Sequence, residues 1–349
     1  MSFLRLESLS KTYLDGTEAV RGVDLSCEAG ELIVLLGPSG CGKTTTLRMV
    51  AGLEKPSAGR IFLEGADMAP WPPQRRDVGF VFQFYALYPH LTVRENVAFP
   101  LEDRGLSPDA RVQRVEAMAE RLGLAAILDR YPHQLSGGDQ QRVSLARAMV
   151  RQPRLYLMDE PLGTLDADLR LAMRELIRDQ QLRDGVTTLY VTHDQEEAMS
   201  LADRVVVMEG GTIRQSARAA DVYADPADLF VAHFIGSPGM NFAEGQVRDG
   251  AFRAGELVWP LVGEWPAGAL TLGIRPEYVR LSDEGTLRGQ VLVEEYMGSC
   301  SYVHVETSCG RWVLRSDGAT GHRPGDLVGI ELEADGVRLF DGQSGRCIG

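Results

Sequence analysis

Gly37-Pro38-Ser39-Gly40-Cys41-Gly42-Lys43-Thr44 sets two glycines, with four residues between them, ahead of a lysine and a hydroxyl residue. A backbone free of side chains can curl its N–H groups around phosphate oxygens, and a helix beginning there faces the negative charge. In that reading Lys43 reaches the β- and γ-phosphates of ATP, Thr44 ligates Mg²⁺, and Thr45 lies beside it in the nucleotide cradle. The same letters also describe a glycine-rich turn before an ordinary helix. Their place, directly after the apolar run Glu31–Leu36 and before a helical pattern, favours the phosphate. A second pair, Asp159-Glu160, closes the apolar run ending at Met158. There an aspartate can hold Mg²⁺ through water and a glutamate can polarise the attacking water, although two acids after a strand also commonly start a helix. Gln83 follows the run Gly79–Phe82, and His193 follows Thr188–Thr192. Either alone reads as an ordinary solvated polar residue.

The elements that must position these groups give them a common address. Short β-rich runs at 31–36, 78–82, 154–158 and 187–191 alternate with helical stretches, which implies a largely parallel sheet covered on both faces. The phosphate loop, Gln83, Asp159-Glu160 and His193 then all lie just past the carboxyl ends of separate strands, the edge where open parallel sheets bind ligands. Beyond about residue 240 the texture changes to short strands separated by glycines such as Gly268, Gly289, Gly310 and Gly336, and a small β domain is expected. A chain of 349 residues has room for roughly two such domains. With 49 acidic against 36 basic residues and a net charge of -13, it has no global positive field to gather nucleic acid. The five cysteines lack the spacing of a zinc site or disulfide framework, which fits a reducing cytoplasm. Its first residues, Ser2-Phe3-Leu4-Arg5, do not read as a secretory leader, and no apolar run approaches the ~18 residues of a spanning helix. We expect a chain that neither crosses a membrane nor is secreted.

Leu135-Ser136-Gly137-Gly138-Asp139-Gln140-Gln141-Arg142 resembles the signature motif of ATP-binding cassettes, the ABC family, and it stands at family-like distances from the phosphate loop and from Asp159. Read by themselves, Ser136, Gly137 and Gly138 offer bare N–H donors to an anion at the start of a helix running from Gln140 to Met149. The resemblance implies that this surface serves ATP held by a second subunit, so that two chains close head to tail as a homodimer or with a paired homologue. It further implies Tyr13 as the aromatic on adenine, Gln83 as the sensor of Mg²⁺ and γ-phosphate, His193 as a switch residue, and Asp166 as an acid of the dimer-contacting loop. Tyr13 by itself is also an ordinary strand-end aromatic. Two departures from the commonest pattern stand out: Asp139 where Gln or Glu is usual, and Gly163-Thr164 ahead of Leu165-Asp166. Lys43, Glu160 and His193 are all in place for catalysis.

The chain carries neither the coiled-coil insertion of repair cassettes nor the doubled cassette of translation factors, which points to a transporter. In transporter cassettes the segment matching Phe84–Val93 docks a short helix of the membrane subunit. Asp221-Val222-Tyr223-Ala224-Asp225-Pro226, the stretch Phe234–Phe242, and Gly273-Ile274-Arg275-Pro276-Glu277 resemble maltose- and glycerol-phosphate-type importer ATPases with an oligonucleotide-fold-like (OB, TOBE-type) regulatory tail. The resemblance therefore implies an α/β P-loop cassette over 1–236, with a helical subdomain at about 84–150, and an all-β OB-like domain over 237–349. It implies an ATPase on the cytoplasmic face of the membrane. This would energise uptake of a sugar, oligosaccharide, polyol or glycerol phosphate through two permease subunits, with an extracytoplasmic solute-binding protein as an indirect partner. A cytoplasmic regulator at the tail fits the same pattern. Importers of polyamines or inorganic ions have related tails and remain an alternative cargo class. A nucleotide-sensing regulatory module, with the tail a plain dimer-stabilising appendage, is the alternative of another kind.

Overall fold

The computed structural model describes residues 2–261, 263, 265, 268–285 and 287–349, with the backbone alone at 103 and 104. The chain divides into two units, Met1–Ala219 and Ala220–Gly349. In the first, β1 (Leu4–Thr12) pairs antiparallel with β2 (Glu18–Cys27), and the chain continues through β3 (Leu32–Leu36) and α1 (Lys43–Ala51). It returns as β4 (Ala58–Leu63) and β5 (Ala66–Asp67) to complete a sheet of order β2-β1-β4-β5. Strand–helix alternation in the sequence did not anticipate this separate antiparallel sheet; its alternating buried and exposed residues are those of a sheet with one wet face.

The expected parallel core is present. It comprises β3, β6 (Val78–Val81), β7 (Leu155–Asp159), β8 (Thr187–Thr192) and β9 (Arg204–Glu209), with β10 (Thr212–Ala217) antiparallel at one edge, in the order β10-β9-β3-β8-β7-β6. β3, β7 and β8 are buried along their whole length, as continuous apolar strands covered on both faces must be. Between β6 and β7 lie α2 (Val93–Ala98), α3 (Pro108–Arg121) and α4 (Gly137–Met149); α5 (Ala167–Asp184) follows β7 and α6 (Gln195–Leu201) follows β8. Their starts are written locally. Thr92 and Glu95 form a reciprocal capping box on α2, and Ser136, Asp166 and Asp194 cap α4, α5 and α6 through their side chains. At the far end of α1 the chain leaves through left-handed Gly52, and the buried Arg76 guanidinium donates to the carbonyls of Met49 and Val50, each at 2.8 Å.

The second unit holds two five-stranded antiparallel sheets among its described residues. Its core is built around Trp312, fully buried with its indole N–H donating to the Phe242 carbonyl at 3.0 Å, and Asn241, whose amide exchanges two hydrogen bonds with the Val313 backbone. The division at 219/220 falls earlier than the 236/237 boundary read from the sequence. The helices Ala219–Ala224 and Leu229–Phe234 are held by the β-rich part. Arg275 stacks 3.7 Å over the Tyr223 ring and donates to the carbonyls of Tyr223 and Ile235, while Ala232 packs with Met240 and Phe340.

Candidate nucleotide site

The loop between β3 and α1 is shaped by close approach. A Cβ on Gly37 would collide with the Met208 carbonyl and the Cys41 sulfur, and one on Gly42, at φ 104°, would collide with the Ala19 carbonyl. Only glycine fits either position, so the bare backbone of the loop is a packing requirement. Pro38, Ser39, Gly40 and Cys41 complete the turn. Lys43 is buried, and its ammonium donates to the Gly37 carbonyl at 2.7 Å and the Pro38 carbonyl at 3.0 Å, which holds a cation inside the loop. Tyr13 is brought to this place from the end of β1: its hydroxyl lies 3.3 Å from the Thr45 hydroxyl, and the Lys11 ammonium lies 5.1 Å from its ring centre.

Thr44 donates to Asp159 Oδ1 at 2.8 Å, which joins the loop to the end of β7. Asp159 is the last residue of that strand and is buried, so burial pushes its carboxyl above the ordinary value against the pull of the Thr44 hydroxyl and of Arg48. A buried carboxylate and a hydroxyl sharing one hydrogen bond beside an anion cradle suit a hard divalent cation, and Thr44 with Asp159 would hold Mg²⁺. Glu160 follows at φ 44°, a left-handed conformation that is strained for a side-chain-bearing residue, while its N–H donates to the Val191 carbonyl at 3.0 Å. The turn swings the carboxylate out of the sheet. Gln83 Nε2 donates to Glu160 Oε2 at 3.1 Å, and His193 Nδ1 lies 3.2 Å from the same oxygen. Three separate strand ends thus meet on one carboxylate oxygen. Gln83, expected beside Mg²⁺ as well, turns its amide to the glutamate.

Ser136, Gly137 and Gly138 stand elsewhere. α4 begins at Gly137, earlier than the Gln140 start read from the sequence, because the Ser136 side chain caps it by accepting from the Asp139 N–H. The glycines lie against Tyr85 and Leu169, where a Cβ on Gly137 would sit 3.3 Å from the Tyr85 hydroxyl. Among the described residues no hydrogen bond joins 136–138 to the loop at 37–44. Asp166 caps α5 by accepting from the Leu169 N–H at 2.9 Å. Sequence reasoning missed the group that ties these loops together. Tyr85 and Ala86 are both left-handed, the Arg147 guanidinium donates to both their carbonyls, and the Tyr85 hydroxyl lies 2.8 Å from that of Thr164. Phe84–Val93 and Gly163-Thr164 each stood out in the sequence, but nothing there joined them; only the two turns' proximity does. Beside them Phe80, Phe82, Ala86, Tyr88, Phe99 and Arg147 line an open groove of about 690 Å³.

Comparison with known proteins places this arrangement. A family model described as ABC transporter matches residues 20–163, one described as MalK OB fold domain matches 236–279, and one described as TOBE domain matches 272–340. The chain is 44% identical over 363 residues to the xylose/arabinose import ATP-binding protein XacK of Haloferax volcanii, covering 99% of this chain and 95% of that one. It is 44% identical over 351 residues to the sn-glycerol-3-phosphate import ATP-binding protein UgpC of Vibrio vulnificus, covering 98% and 94%. To the trehalose/maltose import ATP-binding protein MalK of Thermococcus litoralis it is 42% identical over 372 residues, covering all of both chains. A dimeric ATP-binding cassette solved in a post-hydrolysis state with ADP and Pi superposes with a TM-score of 0.57 at 32% identity, covering 62% of this chain and 98% of that one.

Proposed function

The chain belongs to the ABC transporter ATP-binding family, and from that premise we propose that it is the ATP-hydrolysing subunit of an importer for a sugar, oligosaccharide or glycerol phosphate, working through separate membrane subunits. The observation that carries the reading is the Glu160 carboxylate, held by Gln83 and His193 beside the Thr44–Asp159 pair. Gly37–Thr45 binds and orients the phosphates, with Lys43 on the β- and γ-oxygens and Tyr13 against the base. Mg²⁺, held by Thr44 and Asp159 with Gln83 near, neutralises phosphate charge when bound. Glu160 takes the proton of the attacking water as general base, and His193 keeps that carboxylate turned toward the γ-phosphate. Two copies close head to tail, so that Ser136, Gly137 and Gly138 of each face the ATP on the other and Asp166 lies at the seam. The groove beside Gln83 receives the permease, because its Phe82, Ala86 and Arg147 adjoin the residue that feels the γ-phosphate. That assembly sits on the cytoplasmic face of the membrane, with a solute-binding protein acting from the other side and any cytoplasmic regulator at the second unit.

Co-purification with its membrane subunits, followed by ATP hydrolysis in liposomes with candidate binding proteins, tests the reading. We expect a loaded sugar or glycerol phosphate to stimulate phosphate release. Stimulation by a polyamine or an inorganic ion instead would replace the cargo class, and hydrolysis indifferent to membrane subunits would overturn the importer.

A further inference from the structure

Asp139 stands at the third position of α4, and its carboxylate is engaged on both oxygens: Ser136 Oγ donates to Oδ2 at 2.7 Å, and Arg142 Nη2 donates to Oδ1. The Asp139 N–H in turn donates to Ser136 Oγ at 3.2 Å. A carboxylate can only accept, so the single hydroxyl hydrogen of Ser136 is committed to it. Burial opposes ionisation of Asp139, but the Ser136 and Arg142 hydrogen bonds outweigh it and hold the carboxyl below its ordinary value. The group is charged throughout the neutral range.

We propose that Asp139 is a positioning residue that restrains ATP-driven closure of two copies by withholding the Ser136 hydroxyl donor from the phosphate it is meant to meet. The inference rests on the head-to-tail dimer proposed above. An incoming γ-phosphate finds lone pairs on Ser136 Oγ where it needs a hydrogen, and a fixed negative charge whose Oδ2 lies 2.7 Å from that oxygen. The bare N–H groups of Gly137 and Gly138 remain attractive, so the dimer forms, but at a higher ATP concentration than the rest of the site would require. Arg142 offsets part of the charge while locking the carboxylate in place, so the restraint is a fixed part of the helix start.

The test is the ATP concentration that half-saturates dimer formation, read by light scattering in the full-length chain carrying Glu160→Gln to stop turnover. Adding Asp139→Gln, which retains a helix-capping side chain, should lower that concentration about five- to tenfold, with ATP affinity of the single chain unchanged. Asp139→Ala, which keeps the Ser136 cap but loses the acid of the first turn and its bond to Arg142, should lower it as well; a purely structural role would move it the other way. Ser136→Ala should shift it less than about twofold while Asp139 is present and about tenfold in the Asp139→Ala background, since only there does the hydroxyl have no side-chain acceptor at position 139. An unchanged or raised ATP requirement in both Asp139 variants, or an equal Ser136→Ala effect in the two backgrounds, overturns the proposal. Absence of any ATP-dependent dimer while a fluorescent ATP analogue still binds overturns the dimer reading, and this inference with it.

Discussion

Glu160 Oε2 receives Gln83 and faces His193 at hydrogen-bond distance, and in the proposed mechanism the other oxygen takes the water proton. Replacing it by glutamine keeps an acceptor for the amide but removes the proposed base. Phosphate release should therefore fall at least about a hundredfold in Glu160→Gln, with nucleotide binding retained in a fluorescence titration; undiminished hydrolysis would remove Glu160 from the mechanism. Asp159 makes a different prediction. Its carboxyl is raised by burial, so the native chain holds a proton more tightly than the unfolded one, and stability declines as pH rises from the ordinary carboxylate range through the raised value. Asp159→Asn, whose amide oxygen still accepts from Thr44, should raise the melting temperature of the nucleotide-free protein at pH 7 to 8. The gain should vanish as pH falls below about 4, and an equal gain at both ends would refute the buried-charge account. With Asp159 a proposed Mg²⁺ ligand, the same variant should gain less thermal stabilisation from Mg²⁺ with ATP than the parent does. These residues could be singled out in the sequence because phosphate and proton chemistry call for particular side chains at fixed spacing. Their mutual contacts were not: Gln83 and Glu160 lie 77 residues apart, and nothing local says that one donates to the other.

At the scale of elements, the phosphate loop depends on the helix behind it as well as on its own glycines. α1 ends where buried Arg76 donates to the carbonyls of Met49, Val50, Met68 and Trp71. Without those donors the Val50 and Trp71 carbonyls would lose the partner they have, while the Met49 and Met68 carbonyls would keep the N–H groups of Gly52 and Trp71. Arg76→Met, which keeps most of the volume, should cost about 2 to 4 kcal/mol in urea unfolding; a change under about 0.5 kcal/mol would mean that water reaches those carbonyls. Caps such as Thr92–Glu95 and Ser136 are legible because they act within a few residues, and the apolar strands are legible by their continuity. The antiparallel sheet of β1, β2, β4 and β5 escaped notice because β4 returns to β1 across β3 and α1, so that pairs such as Leu6 with Ile61 join segments that sequence order separates.

For the molecule as a whole, the division at Ala219 has a direct consequence. A fragment beginning at residue 237 leaves Met240 and Phe340 without Ala232 and Arg275 without the Tyr223 and Ile235 carbonyls, whereas one beginning at 220 keeps all of them. The 220–349 fragment should therefore be the more stable in thermal melts; equal stability would return the boundary to 236/237. By itself the sequence determined the chemistry and the class: a phosphate loop, an acid pair and a signature helix start are short-range patterns, and hydrophobic periodicity with glycine spacing separates an α/β unit from a β-rich one. What only the tertiary structure decided is which of those groups touch, namely Thr44 on Asp159, Gln83 and His193 on Glu160, Tyr85 on Thr164, and where the linker helices belong. Such contacts depend on strand order and on backbone turns such as the left-handed ones at Tyr85, Ala86 and Glu160. Long-range packing selects both, and no local pattern encodes them.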